Sequence, residues 1–171
     1  MESGNPNVRW PACLGLALIL SLTTSIAVGS DFEIRLSVTS EGREIHTSRT
    51  DESPPRGRKP SRPVAEIEHD KAVVLTWHAE SKDKSETYED VLMHFFVVEE
   101  KRIGQAEVPK LAAGVVYEGA LTMDFRPRDA TDWRATFKVT DPGTYLVRVE
   151  TIGMAAKHGH EHFAAMDLVV K

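Results

Sequence analysis

Asp141-Pro142-Gly143-Thr144-Tyr145-Leu146-Val147-Arg148-Val149 is the stretch that decides how the rest of the chain is read. Proline pre-sets φ for the second position of a turn and glycine takes backbone angles that other residues avoid, so Asp141-Pro142-Gly143 marks a chain reversal. Behind the turn, Tyr145, Val147 and Val149 recur at every second position, the period of a strand with one face on a core.

The same pattern extends outward in both directions. Upstream, Trp133, Ala135, Phe137 and Val139 alternate with polar residues, and Val115, Tyr117, Leu121, Met123 and Phe125 do so before them. From Val91 to Val98 both faces are apolar apart from His94, which predicts a strand covered on both sides. Val73, Leu75, Trp77 and Ala79 form another alternating set, followed by the polar turn Ser81 to Thr87. Downstream, FAAMDLVVK closes the chain as a last strand. No segment carries an apolar stripe at helical spacing. Short strands separated by regular turn signals predict an all-β, antiparallel β-sandwich of about seven strands.

Asp141, Gly143 and Tyr145 resemble the tyrosine corner of immunoglobulin-like domains, in which such residues lead into strand F. The resemblance implies an immunoglobulin-like or fibronectin-III-like sandwich in which the Tyr145 hydroxyl bonds back to the turn backbone. Val147 stands where an antibody domain has its core cysteine, so the implied relative is bacterial and has no disulfide. Such sandwiches host many functions, and the fold alone selects none of them. The chain is also similar, in composition and layout, to small exported bacterial copper proteins that place Met and His ligands near strand ends.

Residues 1–30 have the layout of a secretory leader: Arg9, the apolar run Ala12 to Leu22, then small residues. Ala27 with Gly29, or Val28 with Ser30, suit the positions before a cut. The apolar run is short against the roughly 20 residues of a bilayer span, so cleavage is expected and no membrane span after it. Cys13, the single cysteine of the 171 residues, precedes most of that run and does not fit a lipid attachment site. The mature chain is therefore expected to have neither thiol nor disulfide. Its expected location is the periplasm, the envelope or the exterior of a bacterium.

Within the mature chain, Phe32, Ile34, Leu36 and Val38 alternate, Glu41-Gly42 offers a turn, and Arg43 to Thr47 returns as a polar edge. This N-terminal strand or hairpin, residues 31–49, is followed by a basic connection with four prolines, residues 50–63. Prolines at that density favour an extended, solvated spacer. Residues 64–171 are the expected sandwich domain. With 26 acidic against 21 basic residues and no basic stripe, nucleic acid is not an expected partner.

The chemistry concentrates in Lys157-His158-Gly159-His160-Glu161-His162, which holds three of the seven histidines. On a strand these imidazoles share a face, with neighbours roughly 6.6 Å apart, so two of them can converge on one ion. Completing a shell then needs Met154, Met166, His94 or Glu161. Zinc would favour His with carboxylate, and copper would recruit Met or more imidazole. The plainer reading is a solvated loop, residues 153–162, whose imidazoles gain charge as pH falls toward about 6. His78 and His94 read as satisfied sheet residues.

No nucleophile elbow, phosphate loop or zinc-protease helix motif is present. Asp124, Asp129, Asp132, Glu118 and Glu161 are the carboxylates that a hydrolase would have to pair, and they follow no pattern. Trp77 and Trp133 are expected in the core; an exposed Trp133 would instead suit stacking on a sugar ring. The sequence therefore leads to an exported accessory or binding protein that is not an enzyme, with an unknown protein or envelope partner, and with copper or zinc binding as the alternative.

Overall fold

The computed structural model describes residues 32–49, 62–82, 84–105, 107–154 and 161–171. Its strands are β1 (Phe32–Ser40), β2 (Arg43–Arg49), β3 (Val64–Ile67), β4 (Ala72–Ser81), β5 (Tyr88–Glu100), β6 (Val115–Phe125), β7 (Ala130–Lys138), β8 (Gly143–Ile152) and β9 (Phe163–Val170). One sheet has the order β2-β1-β4-β7 and the other β3-β9-β8-β5-β6.

The alternation in the sequence is what packs these sheets face to face. Phe32, Ile34, Leu36 and Val38 of β1 and Val73, Leu75, Trp77 and Ala79 of β4 all point inward and are buried. They meet Met93, Phe95 and Val97 of β5, Tyr145, Val147 and Val149 of β8, and Ala164, Met166 and Leu168 of β9. A one-residue slip in any of these strands would turn its apolar set to water, so the core fixes the register.

The chain is the expected all-β sandwich, with nine strands among the described residues in place of about seven. β2, on the predicted N-terminal hairpin, and β3 flank the Pro-rich stretch. β1 pairs with β4 from Phe32↔Ser81 to Ser40↔Val73, which makes the N-terminal segment part of the first sheet. Glu41 (φ 51°) and Gly42 (φ 77°) form the two-residue turn to β2, with both residues left-handed as a tight hairpin requires. β3 lies parallel to β9, so the second sheet is mixed. A strand that enters after a long connection has no hairpin to force it antiparallel.

The tyrosine corner is present: the Tyr145 hydroxyl donates to the Asp141 carbonyl at 2.8 Å. In β5 the register shifts between Tyr88 and Val91, and Asp90 adopts φ 54° while its amide donates to the Asp124 carboxylate at 2.9 Å. This is a bulge, made tolerable by an aspartate in the left-handed region.

As the sequence predicts, β5 is covered on both faces near its C-terminal end. Phe96, Val98, Leu146 and Ala165 form a second apolar cluster on the outer face of that sheet, with Leu111 and Phe163 against it. Leu111, between β5 and β6, and Phe163 of β9 supply this cover. Trp133 departs from expectation: it is 40% exposed, because β7 is an edge strand and its inward side opens at the flank of the sandwich. The described residues include no helix long and apolar enough to cross a membrane.

Candidate functional site

The outer face of the second sheet carries the chain's most unusual chemistry. Asp167 sits between Met166 and Leu168 of β9, and Glu100 ends the apolar run of β5. Alternation sends both side chains to the outer face, where they are fully buried. Arg62, at the end of the Pro-rich connection, reaches between them: its Nε donates to Asp167 Oδ1 at 2.6 Å and its Nη2 to Glu100 Oε2 at 2.8 Å. The remaining Nη1 donates to the Gln105 carbonyl at 2.7 Å. Asp167 Oδ2 accepts from the Gly104 amide at 2.7 Å, and the Asp167 amide donates to the Pro63 carbonyl at 2.9 Å.

This node ties the connection, β5, β9 and the 101–114 loop together. It also places two carboxylates on one guanidinium where water is excluded. Burial, together with hydrogen bonding to Asp167, pushes Glu100 up to about 7 against the opposing pull of Arg62. Buried beside a second acid with one counter-charge between them, Glu100 retains a proton that it would release in water. Sequence reading did not find this node. The signal available was an acid inside each of two apolar runs, VVEE and AAMDLVV.

The loop above the node is ordered by its own bonds. The Lys101 amide donates to Gln105 Oε1 at 3.2 Å, and Gln105 Nε2 donates to the Glu107 carbonyl at 2.8 Å. Beside it lies a cleft of about 570 Å³ lined by Glu99, Glu100, Lys101, Val108, Lys110 and Gly114 among others. Ile103, Val108, Val115 and Val116, in the loop and the start of β6, are exposed at 51%, 47%, 42% and 37%.

His94 lies on the same outer face. Its Nε2 stands 2.9 Å from Glu118 of β6, its Nδ1 is 3.4 Å from Glu150 of β8, and Phe96 packs against the ring. Arg148 donates to Glu150 and lies 4.0 Å above the Phe163 ring. His94 is thus a satisfied sheet residue bridging two strands, as read. His78 likewise contacts Asp132 across β4 and β7 at 2.8 Å.

The proposed metal ligands are distributed as follows. His158 and His160 lie outside the described residues. His162 is buried, 1% exposed, with its ring beside Phe32, so it is not the solvated loop histidine of the plainer reading. Glu161 folds back on the end of β8, where its carboxylate accepts from the Thr151 hydroxyl at 2.8 Å and the Gly153 and Met154 amides at 2.8 and 3.1 Å. Met154 and Met166 belong to the inner core. Met166 and His94 occupy opposite faces of one sheet, since Val147↔Met166 and Val97↔Val147 are inward pairs while His94↔Glu150 is outward. One ion cannot take both. Among the described residues, no three His, Cys, Asp or Glu side chains are grouped as a metal site.

The scattered carboxylates stay scattered. Asp124 caps the β5 bulge, Asp129 accepts from the Ala130 amide, Asp132 holds His78 and Glu118 holds His94. Trp133 packs its half-exposed indole against Phe95, 5.8 Å between ring centres, and Phe95 in turn contacts Trp77 and Tyr117.

No protein-family model matches the chain, and no curated protein matches it. Among solved structures, the chain is similar to the C-terminal domain of Wzt, with a TM-score of 0.42 and 8% identity over 80% of this chain and 70% of that one. It is also similar to the PmoD soluble domain from Methylocystis sp. ATCC 49242 (Rockwell), with a TM-score of 0.42 and 12% identity over 81% of this chain and 90% of that one. Similarity at this level says nothing of a ligand.

Proposed function

We propose that the chain is an exported, non-catalytic binding module that engages a protein partner of the bacterial envelope through the 101–114 loop and the start of β6. One observation carries the reading. Of the seven large apolar residues exposed among the described ones, Ile103, Val108, Val115 and Val116 fall in this single stretch. Solvent-facing apolar residues scattered singly are ordinary, but their concentration on one loop and the strand start that follows it is the form that recognition surfaces take. The exposed charges of Lys101, Arg102, Glu107 and Lys110 around them supply the polar rim of a protein interface. The leader-like residues 1–30 support export.

The test places a photo-crosslinker at Val108 and, as a control at the other end of the sheet, at Ile152, in the exported protein in a bacterial host. A defined adduct formed from Val108 and not Ile152, and lost in Ile103→Asp with the fold retained, is the expected result. Equal adducts from both sites, or an adduct indifferent to Ile103→Asp, overturns the reading.

A second reading, carbohydrate recognition, is favoured by the exposed Trp133 indole, which is held by Phe95 beside the His78 and Asp132 pair. A saturable change in Trp133 emission with envelope oligosaccharides, absent in Trp133→Phe, supports it; no change up to millimolar sugar removes it.

A further inference from the structure

We propose that the Arg62, Glu100 and Asp167 node is a proton-controlled latch: one proton on the carboxylate pair keeps the 101–114 loop closed on the sheet, and its loss releases the loop. The coupling of this latch to partner binding rests on the docking surface proposed above; the latch itself does not.

The argument starts from charge. With one proton on the pair, the node holds one guanidinium and one net carboxylate, and the Arg62 donors named above are all used. Ionisation sends the Glu100 proton to solvent and leaves two carboxylates on one guanidinium. The second negative charge sits where Glu100 and Asp167 have no solvent exposure and Glu100 Oε1 has no hydrogen-bond partner. Burying an unpaired charge is unfavourable enough that the surroundings must admit water or a counter-ion.

Among the described residues, charged groups approach Glu100 from several elements. Arg62 comes from the connection and Asp167 from β9. On β8, the cross-strand neighbour is Thr144, which carries no charge. From the loop come Lys101, Glu107 and Lys110, all exposed along the cleft, with Glu99 next to them on β5. Among the described residues none of these lysines is within ion-pairing distance of the node, and Arg62 is the cation paired with it.

The part that yields is decided by connectivity. β5 and β9 both pair with β8 inside the sheet. Among the described residues, two bonds hold the loop to the node, Gly104 N–H to Asp167 and Arg62 to the Gln105 carbonyl, while its far end is fixed by Leu111 against the outer cluster and by the Glu99 amide on the Gly114 carbonyl. Its internal bonds through Gln105 let it move as a unit, as compact surface loops do. Gly104, at φ +69°, is the turn residue on which the loop pivots. The same movement displaces Ile103 and Val108, two of the residues of the docking surface.

The experiment uses the mature chain, residues 31–171, labelled for NMR. The Glu100 side-chain carboxyl carbon is titrated between pH 4 and 9, and hydrogen exchange of the Gly104 amide is followed from pH 5.5 to 8.5 against that of Val147 in β8. A latch gives a Glu100 midpoint near neutrality. It also gives a Gly104 protection factor that falls, relative to Val147, by up to about tenfold per pH unit as pH rises toward that midpoint, the limit for one linked proton, and that levels off above it. Glu100→Gln, which mimics the protonated acid, makes the Gly104 profile flat. A Glu100 midpoint in the ordinary carboxylate range, or a flat Gly104 profile in the parent chain, overturns the latch. The carbon titration needs no variant, so a Glu100→Gln chain that misfolds leaves the test intact. Because no partner is present, failure of the docking surface and failure of the latch are read in separate experiments.

Discussion

Gly119 of β6 lies beneath the ring of Phe95 on β5: a Cβ at position 119 would stand 2.4 Å from the ring. The two residues are direct cross-strand partners, and the phenyl group occupies the space that any side chain at 119 would need. That ring also contacts Trp77, Tyr117 and Trp133, so it cannot swing away without disturbing the flank between β6 and β7. Gly119→Ala is expected to destabilise the chain by about 1–3 kcal/mol, the usual range for overpacking. Urea denaturation with an unchanged slope and a lower midpoint checks it.

Tyr145→Phe deletes one hydroxyl and leaves the ring in the core. The lost bond to the Asp141 carbonyl is the corner that holds the β7 to β8 turn. A net hydrogen bond of this kind contributes about 0.5–1.5 kcal/mol. The expected change is a lowered denaturation midpoint of that size with an unaltered near-ultraviolet spectrum away from tyrosine.

The node gives stability a defined pH dependence. Glu100 is raised from 4.5 to about 7, so the folded state binds its proton more tightly than the unfolded chain. Its contribution is complete below about pH 4.5, is lost as pH rises through 7, and is level above that. Glu33 and Glu80 run the opposite way, since hydrogen bonds from Arg35 and Lys82 respectively hold them below the usual carboxylate range. Comparison with Glu100→Gln isolates the first effect: the stability of the parent falls relative to the variant between those two values. Arg62→Ala, which strips the cation from buried acids, is expected to cost about 3–5 kcal/mol. Denaturation midpoints across pH 4 to 9 report both.

The two tryptophans of the described residues differ sharply in exposure, 1% for Trp77 and 40% for Trp133. In a chain of residues 31–171, acrylamide is expected to quench part of the emission, and Trp133→Phe is expected to leave a blue-shifted, weakly quenched spectrum. Equal quenching before and after the substitution contradicts the placement of β7 at the edge.

Met166 and Glu161 test the metal reading from its structural side. Met166 has no solvent exposure, so Met166→Leu is expected to leave any Zn(II) or Cu(I) uptake by residues 31–171 unchanged in calorimetric titration. Glu161→Gln weakens the bonds to Thr151, Gly153 and Met154, and is expected to lower thermal stability and the protection of the Gly153 amide. A loss of metal affinity in Met166→Leu alone, with the fold retained, reverses the first expectation.

The sequence by itself determined the sandwich. Alternation at Phe32 to Val38, Val73 to Ala79 and Tyr145 to Val149 assigns each side chain a face, and a strand with one apolar face must find another sheet to cover it. The Asp141 to Tyr145 corner and the Glu41-Gly42 turn were equally legible, because each depends on residues adjacent in the chain. Tertiary structure decided what depends on neighbours distant in sequence. Trp133 and Trp77 carry the same local pattern and face each other in register, yet one is exposed because its strand is an edge. β3 pairs with β9 and β1 with β4, which places the segments on both sides of the Pro-rich stretch in the two sheets. Arg62, Glu100 and Asp167 meet across 105 positions of chain, and their charges interact only because folding removes the water between them.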